Sequence, residues 1–301
     1  MPNMRSPAVS VLLIGLSLTL ACWPAGTAAS GGLSAAAPFA SGTAATVRPL
    51  WTASDPPAGG ASVRGAQWVR FPGPGGTQMY AAVFTPNGPG PFPAVIFVHG
   101  TEGFRVTHEI QLAADVSATG GLVTIAACWF SGSWNVGPDF NKPYSVTYSD
   151  GVRCPDAPPI GQGNVVQTAL TPATQDAIEA IVRMTRTLPA VDPQKVGLFG
   201  HSRGSAAAVV YGAQTGGVVG VVAAAGFPLL SPGIIHARPP LLILQGTADD
   251  QVGAARQFES GVRAGGWKVD SHYYPGGDHF LFYNDPTRAD AVSRIAAFFK
   301  G

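Results

Sequence analysis

Lys195-Val196-Gly197-Leu198-Phe199-Gly200-His201-Ser202-Arg203-Gly204 runs directly into Ser205-Ala206-Ala207-Ala208-Val209-Val210-Tyr211. The first five residues read as a short buried strand, and the small residues after Gly204 can continue as a helix. Between them stands G-x-S-x-G, in the strand–turn–helix context that makes such a pentapeptide a nucleophile elbow. The glycines let the backbone turn sharply without a Cβ in the way, which presents the Ser202 hydroxyl at the end of the sheet. With 39 glycines in the chain, a pentapeptide of this kind also arises as an ordinary turn. The rest of the chain must therefore supply a base and an acid.

It supplies them in order. After Ser202 comes the apolar run Pro240-Leu241-Leu242-Ile243-Leu244, then Gln245-Gly246-Thr247-Ala248-Asp249-Asp250. An aspartate just past the end of such a strand projects to the rim where the carboxyl ends of parallel strands gather. Later, Ser271-His272-Tyr273-Tyr274 alternates like a strand and Gly276-Gly277-Asp278-His279-Phe280 follows as a loop. Ser, Asp, His is the chain order of α/β-hydrolases. A serine hydroxyl attacks well only when an imidazole takes its proton, and that imidazole needs a carboxylate to fix its tautomer. Asp249 is preferred to Asp250, which is expected to face solvent or cap a helix over Val252–Ala264. His279 is preferred to His272, which lies within the strand, and Asp278 is expected to shape the loop. His201 cannot readily act as base to its own neighbour and is a candidate for lining the pocket.

The oxyanion hole is expected from the run Pro93-Ala94-Val95-Ile96-Phe97-Val98, apolar throughout as in a parallel strand covered on both faces. It ends in His99-Gly100-Thr101-Glu102-Gly103-Phe104. The backbone N–H of Thr101, with Glu102 or Gly103 as other registers, and that of Arg203 would hold the developing negative oxygen. His99 reads as a residue that stabilises the loop. Glu102 reads as a surface charge, with a carboxylate lining the site as the alternative.

These segments resemble the dienelactone hydrolase-like branch of the α/β-hydrolase superfamily, from about residue 63 to residue 300. The resemblance runs from a β-hairpin at 67–71 and 79–85, through 91–100 and 191–204, to the Asp249 and His279 loops. It implies a mostly parallel central sheet with an N-terminal antiparallel hairpin and helices on both faces. It also implies a carboxylic ester hydrolase with a small-molecule ester substrate. Dienelactone hydrolases use a cysteine nucleophile where this chain has Ser202, which favours ordinary serine esterase chemistry on short-chain or aromatic esters. A thioesterase, acyltransferase or peptidase would use the same triad, and a binding protein with a retired triad would use none of it.

The ends of the chain set the expected surroundings. Residues 1–29 read as an export signal: Arg5, an apolar stretch over 8–21, then Thr27-Ala28-Ala29 as a small-x-small cleavage site. Ala21-Cys22 offers a lipid-anchor alternative at Cys22, weakened by Thr19 where such signals favour leucine. Residues 30–62, rich in Ala, Gly, Ser and Pro, read as a flexible leader, and 63–301 as one catalytic domain, secreted or periplasmic. Cys128 and Cys154 would remain as a candidate disulfide. A net charge of +1 with only 12% charged residues argues against a nucleic-acid partner, and no spacing suggests a metal site or a cofactor loop. The stretch from Trp129 to Thr171 carries Trp129, Phe130, Trp134, Phe140, Tyr144 and Tyr148, so Trp129 and Trp134 are candidates for a pocket wall. Thr171-Pro172 opens a helix whose stripe Ala177, Ile178, Ile181 and Val182 packs on the sheet. The last helix over 286–300 is expected to bury Ala289, Val292, Ile295, Ala296 and Phe299.

Overall fold

A computed structural model describes residues 48–130, 149–152 and 171–301. Among the described residues, nine strands form one sheet in the order β1-β2-β3-β5-β4-β6-β7-β8-β9. The strands are β1 Thr52–Ala53, β2 Gln67–Pro72, β3 Gln78–Phe84, β4 Phe92–Val98, β5 Val123–Cys128, β6 Val191–His201, β7 Val221–Ala224, β8 Leu241–Gly246 and β9 Val269–Tyr274. β2 and β3 make the expected antiparallel hairpin, and β3 joins β5 antiparallel. From β5 through β4, β6, β7 and β8 to β9 every neighbouring pair is parallel. The architecture is an α/β-hydrolase sheet, mostly parallel with an antiparallel N-terminal edge.

Alternation along β4 shows how the sheet is covered. Ala94, Ile96 and Val98 pack into one apolar cluster, and Val95 and Phe97 into another, as successive side chains point to opposite faces. The first cluster receives Ala177, Ile178, Ile181 and Val182 of α2 (Pro172–Thr185), together with residues of α3 (Arg203–Thr215) and α4 (Val252–Ala264). The second receives α1 (Gln111–Gly120) and α5 (Thr287–Lys300). Helices therefore cover both faces, which is why the central strands are apolar without interruption. α2 begins as expected, with the Thr171 hydroxyl accepting from the Thr174 N–H and Pro172 at the first helical position. In α5 the buried stripe uses Ala291, not Ala289, which is exposed. Ala291 fits the i, i+4 spacing to Ile295 and Phe299.

The segment 51–62, expected to belong to a leader, enters the fold. Thr52 and Ala53 pair with Arg70 and Val69. Trp51 packs against the core, and the Leu50 N–H donates to Thr187 Oγ1 at 3.2 Å. Trp51 is the aromatic anchor that composition alone obscured among the small residues around it. No helix among the described residues is long and apolar enough to cross a membrane. Trp134, Phe140, Tyr144, Tyr148 and Cys154 lie outside the described residues, as do the export signal and Cys22. Cys128 is buried at the end of β5.

Candidate active site

The carboxyl ends of β6, β7 and β8 are level: His201 stands opposite Ala224, and Ala224 opposite Leu244. The loops that follow these strands, and the one after β9, therefore open on a single rim. Ser202 is the first residue past β6 and sits at φ +52°, ψ −117°, a strained conformation for a residue with a side chain. Its N–H donates to the Ala224 carbonyl at 2.8 Å, and its own carbonyl accepts from Ala206 at 3.2 Å. The turn is pinned from both sides by missing side chains. A Cβ on Gly204 would come within 2.2 Å of the Val98 carbonyl oxygen and 2.6 Å of that of His99. One on Gly226 would come within 2.0 Å of the Ser202 carbonyl oxygen. α3 thus starts pressed against the end of β4, with the hydroxyl residue at its N-terminus.

Asp249 is buried and Asp250 is exposed, as the spacing predicted. Asp249 Oδ2 lies 2.9 Å from His279 Nδ1 and accepts from Gln245 Nε2 at 2.9 Å, while Oδ1 accepts from the Gln251 N–H at 2.9 Å. Burial alone would raise its pKa. The bonds from His279, Gln251 and Gln245 prevail and hold the carboxyl well below the usual range. Asp278 Oδ1 accepts from the Phe280 N–H at 2.9 Å and so shapes the loop that carries His279. A cleft of about 800 Å³ opens here, lined by Ser202, Asp249 and His279 together with Ala225, Gly226, Phe227, Ala248 and Asp250.

On the oxyanion side, Val98 pairs with Gly200, so the loop after β4 starts level with the elbow. That loop turns over Gly100–Gly103, the Gly103 N–H donating to the Gly100 carbonyl at 3.2 Å, with Thr101 half-buried inside the turn. Arg203 opens α3. His99 stabilises the loop, as expected. It is fully buried between Phe104, Trp129 and Phe130, and burial pushes its pKa down to about 4.

Three pocket candidates lie elsewhere. Trp129 is a core residue with no exposed surface, its Nε1–H donating to the His99 carbonyl at 2.9 Å. It leaves β5 on the buried side and packs edge-on to Phe130 at 4.7 Å. His201 is also fully buried, because the turn that swings Ser202 outward leaves its neighbour pointing in. Glu102 is not a surface charge: it is 8% exposed and its Oε1 sits 3.1 Å from His201 Nδ1. Sequence reasoning missed the company these two keep. Glu109, in a kinked turn at Val106–Ile110, lies 3.9 Å from His201 Nδ1, Tyr283 packs edge-on to the His201 ring at 5.1 Å, and His108 of the same turn lies 3.8 Å from Glu102 Oε1. Tyr283 donates to Glu109 Oε1 at 2.6 Å and stacks on His108 at 4.1 Å. No motif surrounds any of the three; the kinked turn, with His108 at the non-helical φ −102°, ψ −112°, shows only in the backbone.

Among the described residues, two groups of side chains bring three ligand-type atoms within 4.8 Å: Glu102, Glu109 and His201, and Asp249, Asp250 and His279. In the first, His201 Nδ1 faces Glu102 and Glu109 Oε1 accepts from Tyr283. In the second, both oxygens of Asp249 are engaged. One hydrogen bond lies within each group, between Glu102 and His201 and between Asp249 and His279.

With this geometry in place, the sequence profile of the "Dienelactone hydrolase family" matches residues 79–300. The chain belongs to the dienelactone hydrolase family. Family membership makes it a hydrolase acting on carboxylic esters, with a small-molecule ester as substrate. No curated protein sequence matches the chain. Among solved structures, a hyperthermophilic esterase from the archaeon Pyrobaculum calidifontis superposes with a TM-score of 0.54 at 18% identity, over 79% of this chain and 86% of that one. A dienelactone hydrolase-like promiscuous phosphotriesterase from metagenomic libraries gives 0.57 at 17% identity, over 78% and 97%. A thermostable esterase from Pseudomonas putida gives 0.56 at 15%, over 79% and 84%. At such identities these likenesses speak for the fold.

Proposed function

We propose that this dienelactone hydrolase family member is a serine esterase in which Ser202, His279 and Asp249 act as a catalytic triad through an acyl-enzyme. The observation that carries the reading is the 2.9 Å contact between Asp249 and His279 Nδ1, in a cleft that Ser202 lines from a strained elbow. Because Nδ1 faces a carboxylate held ionised, it keeps its proton, and Nε2 is left to accept one. Ser202 Oγ attacks the ester carbonyl carbon as His279 Nε2 takes its proton. The imidazolium, stabilised by Asp249, then protonates the departing alcohol. The N–H of Arg203 and that of Thr101 stabilise the oxyanion, with the N-terminus of α3 adding its partial positive charge. Water, deprotonated by the same histidine, releases the acid.

The described cleft walls favour a small, uncharged acyl group. Ala225, Gly226 and Ala248 leave room close to Ser202, Phe227 offers one aromatic face, and Asp250 adds negative charge. Short-chain or aromatic esters fit this lining better than anionic substrates. We also read residues 1–29 as an export signal that delivers the enzyme outside the cytoplasm. There Cys128 would pair with Cys154 and root the segment between them. A fluorophosphonate probe tests the triad: it should label the folded chain at Ser202 and fail on Ser202→Ala. A folded wild type that resists labelling would refute the assignment.

A further inference from the structure

His201 is fully buried, and each of its ring nitrogens faces an acceptor. Nε2 lies 2.9 Å from the main-chain carbonyl oxygen of His279. Nδ1 lies 3.1 Å from Glu102 Oε1 and 3.9 Å from Glu109 Oε1. A carbonyl oxygen only accepts, so Nε2 carries a hydrogen. An ionised carboxylate only accepts, so Nδ1 carries one as well. A ring with both hydrogens is an imidazolium. A buried cation of this kind persists only when paired, and here Glu102 pairs it.

We infer that His201 is a positioning residue that fixes the base to the nucleophile: its Nε2–H grips the main chain of His279, and its peptide bond joins it to Ser202. The inference rests on the triad reading above. Two covalently adjacent residues then hold both reacting groups, so one hydrogen bond and a rigid strand end link the main chain of His279 to that of Ser202, while Asp249 orients the ring. The His279 loop has further ties on either side of this point: the Phe280 N–H donates to Asp278 Oδ1 at 2.9 Å and the Gly276 N–H to Thr247 Oγ1 at 2.8 Å. The His279 side chain is held by Asp249, and the Gly277 carbonyl accepts from the Ala248 N–H. Misplacement of about 1 Å between reacting groups can cost 10²-fold in rate, so such a tie has catalytic weight without touching substrate.

The surroundings keep the imidazolium charged. Glu102 is held well below the usual carboxylate range: burial opposes this, and the His201 charge with hydrogen bonds overcomes it. Burial would lower His201, but the charge and hydrogen bond of Glu102 and the His279 carbonyl outweigh it, so His201 is raised. Glu109 is pushed up to about 8 by burial and by the Glu102 charge, so at neutral pH it adds no second negative charge. His108 is lowered, chiefly by burial, and Tyr283 is raised well above its ordinary value by burial and Glu109, so both stay neutral. Arg105, at the mouth of the turn, is paired with Asp150 at 2.9 Å. When His201 loses a proton, the one remaining is drawn to Nδ1 by Glu102. Nε2 is then left as a lone pair against the His279 carbonyl.

Three measurements on the purified protein test this. Nitrogen NMR of the histidine rings should show His201 with both nitrogens protonated at about pH 7; a bare ring nitrogen there overturns the inference, whatever the activity. The double substitution His201→Phe with Glu102→Leu removes both partners and leaves no buried charge unpaired. It should fold, cut kcat for p-nitrophenyl acetate by about 10–100-fold, and leave KM within about twofold. A folded double variant with wild-type kcat overturns the inference. Finally, kcat of the wild type should fall at alkaline pH, and Glu102→Gln should abolish that fall, because its amide donates to Nδ1 and locks the Nε2–H tautomer. An alkaline limb unchanged in Glu102→Gln counts against it. Absence of hydrolysis by the wild type would instead strike the triad reading, and the NMR result would stand apart from it.

Discussion

Replacing Gly204 by alanine probes the contact that aims the nucleophile. The added Cβ would lie 2.2 Å from the Val98 carbonyl oxygen, 2.6 Å from that of His99 and 2.8 Å from the Val98 carbonyl carbon. All three are backbone atoms of the sheet's central parallel strand and its outgoing loop, so no side chain can swing aside. Relief requires α3 to move away from β4. Overpacking typically costs about 1–3 kcal/mol, and a clash with three backbone atoms belongs at the upper end, about 3 kcal/mol. In a domain of this size each kcal/mol lowers Tm by roughly 2–4 °C, so Gly204→Ala should melt roughly 6–12 °C below wild type. Gly261, exposed within α4 with nothing within 4 Å of its notional Cβ, is the control. Its alanine variant should gain about 0.5–1 kcal/mol from helix propensity alone. Parallel calorimetric melts at one pH decide the matter. A Gly204→Ala protein melting within about 2 °C of wild type would refute the packing argument.

Glu109→Gln should stabilise the enzyme increasingly as pH rises. The folded pKa of Glu109 is raised from 4.5 to about 8, so between those values the unfolded chain binds fewer protons and wild-type stability falls with pH. The Tm difference between variant and wild type should therefore widen from about pH 5 to about pH 8 and then level off; a constant difference would contradict it. Asp249 has the opposite sign. Its depressed folded pKa stabilises the protein above the ordinary aspartate range, and that contribution is lost as pH falls through the folded value. Asp249→Asn should accordingly flatten the acid side of the stability profile in pH-stepped melts, and lower kcat by roughly 10³–10⁴-fold through loss of the correct His279 tautomer.

Much of this architecture is legible in residue order. The apolar run 93–98 falls within β4 and is buried on both faces from Ala94 to Val98, and the α4 bounds match the periodic pattern after Asp249. The choice of Asp249 over Asp250 follows from a turn with one inward side. What escaped has a common physical cause: it depends on partners distant in sequence. Trp51 and β1 are anchored by residues near 69 and 187, and β7 is too short and too alanine-rich to announce itself. Glu102 looks like a loop charge until His201, 99 residues later, is folded against it. Glu109 and Tyr283 meet across 174 residues with no motif around either. Trp129 looks like a pocket aromatic because composition does not say on which side of β5 the chain leaves.

The central claim is that Ser202 performs the chemistry. Hydrolysis of p-nitrophenyl acetate, butyrate and octanoate by the purified protein, beside Ser202→Ala, tests it most directly. The account predicts turnover that favours the shorter esters and falls by at least about 10³-fold in the folded variant. Comparable hydrolysis by Ser202→Ala, or none by a folded wild type, would contradict it.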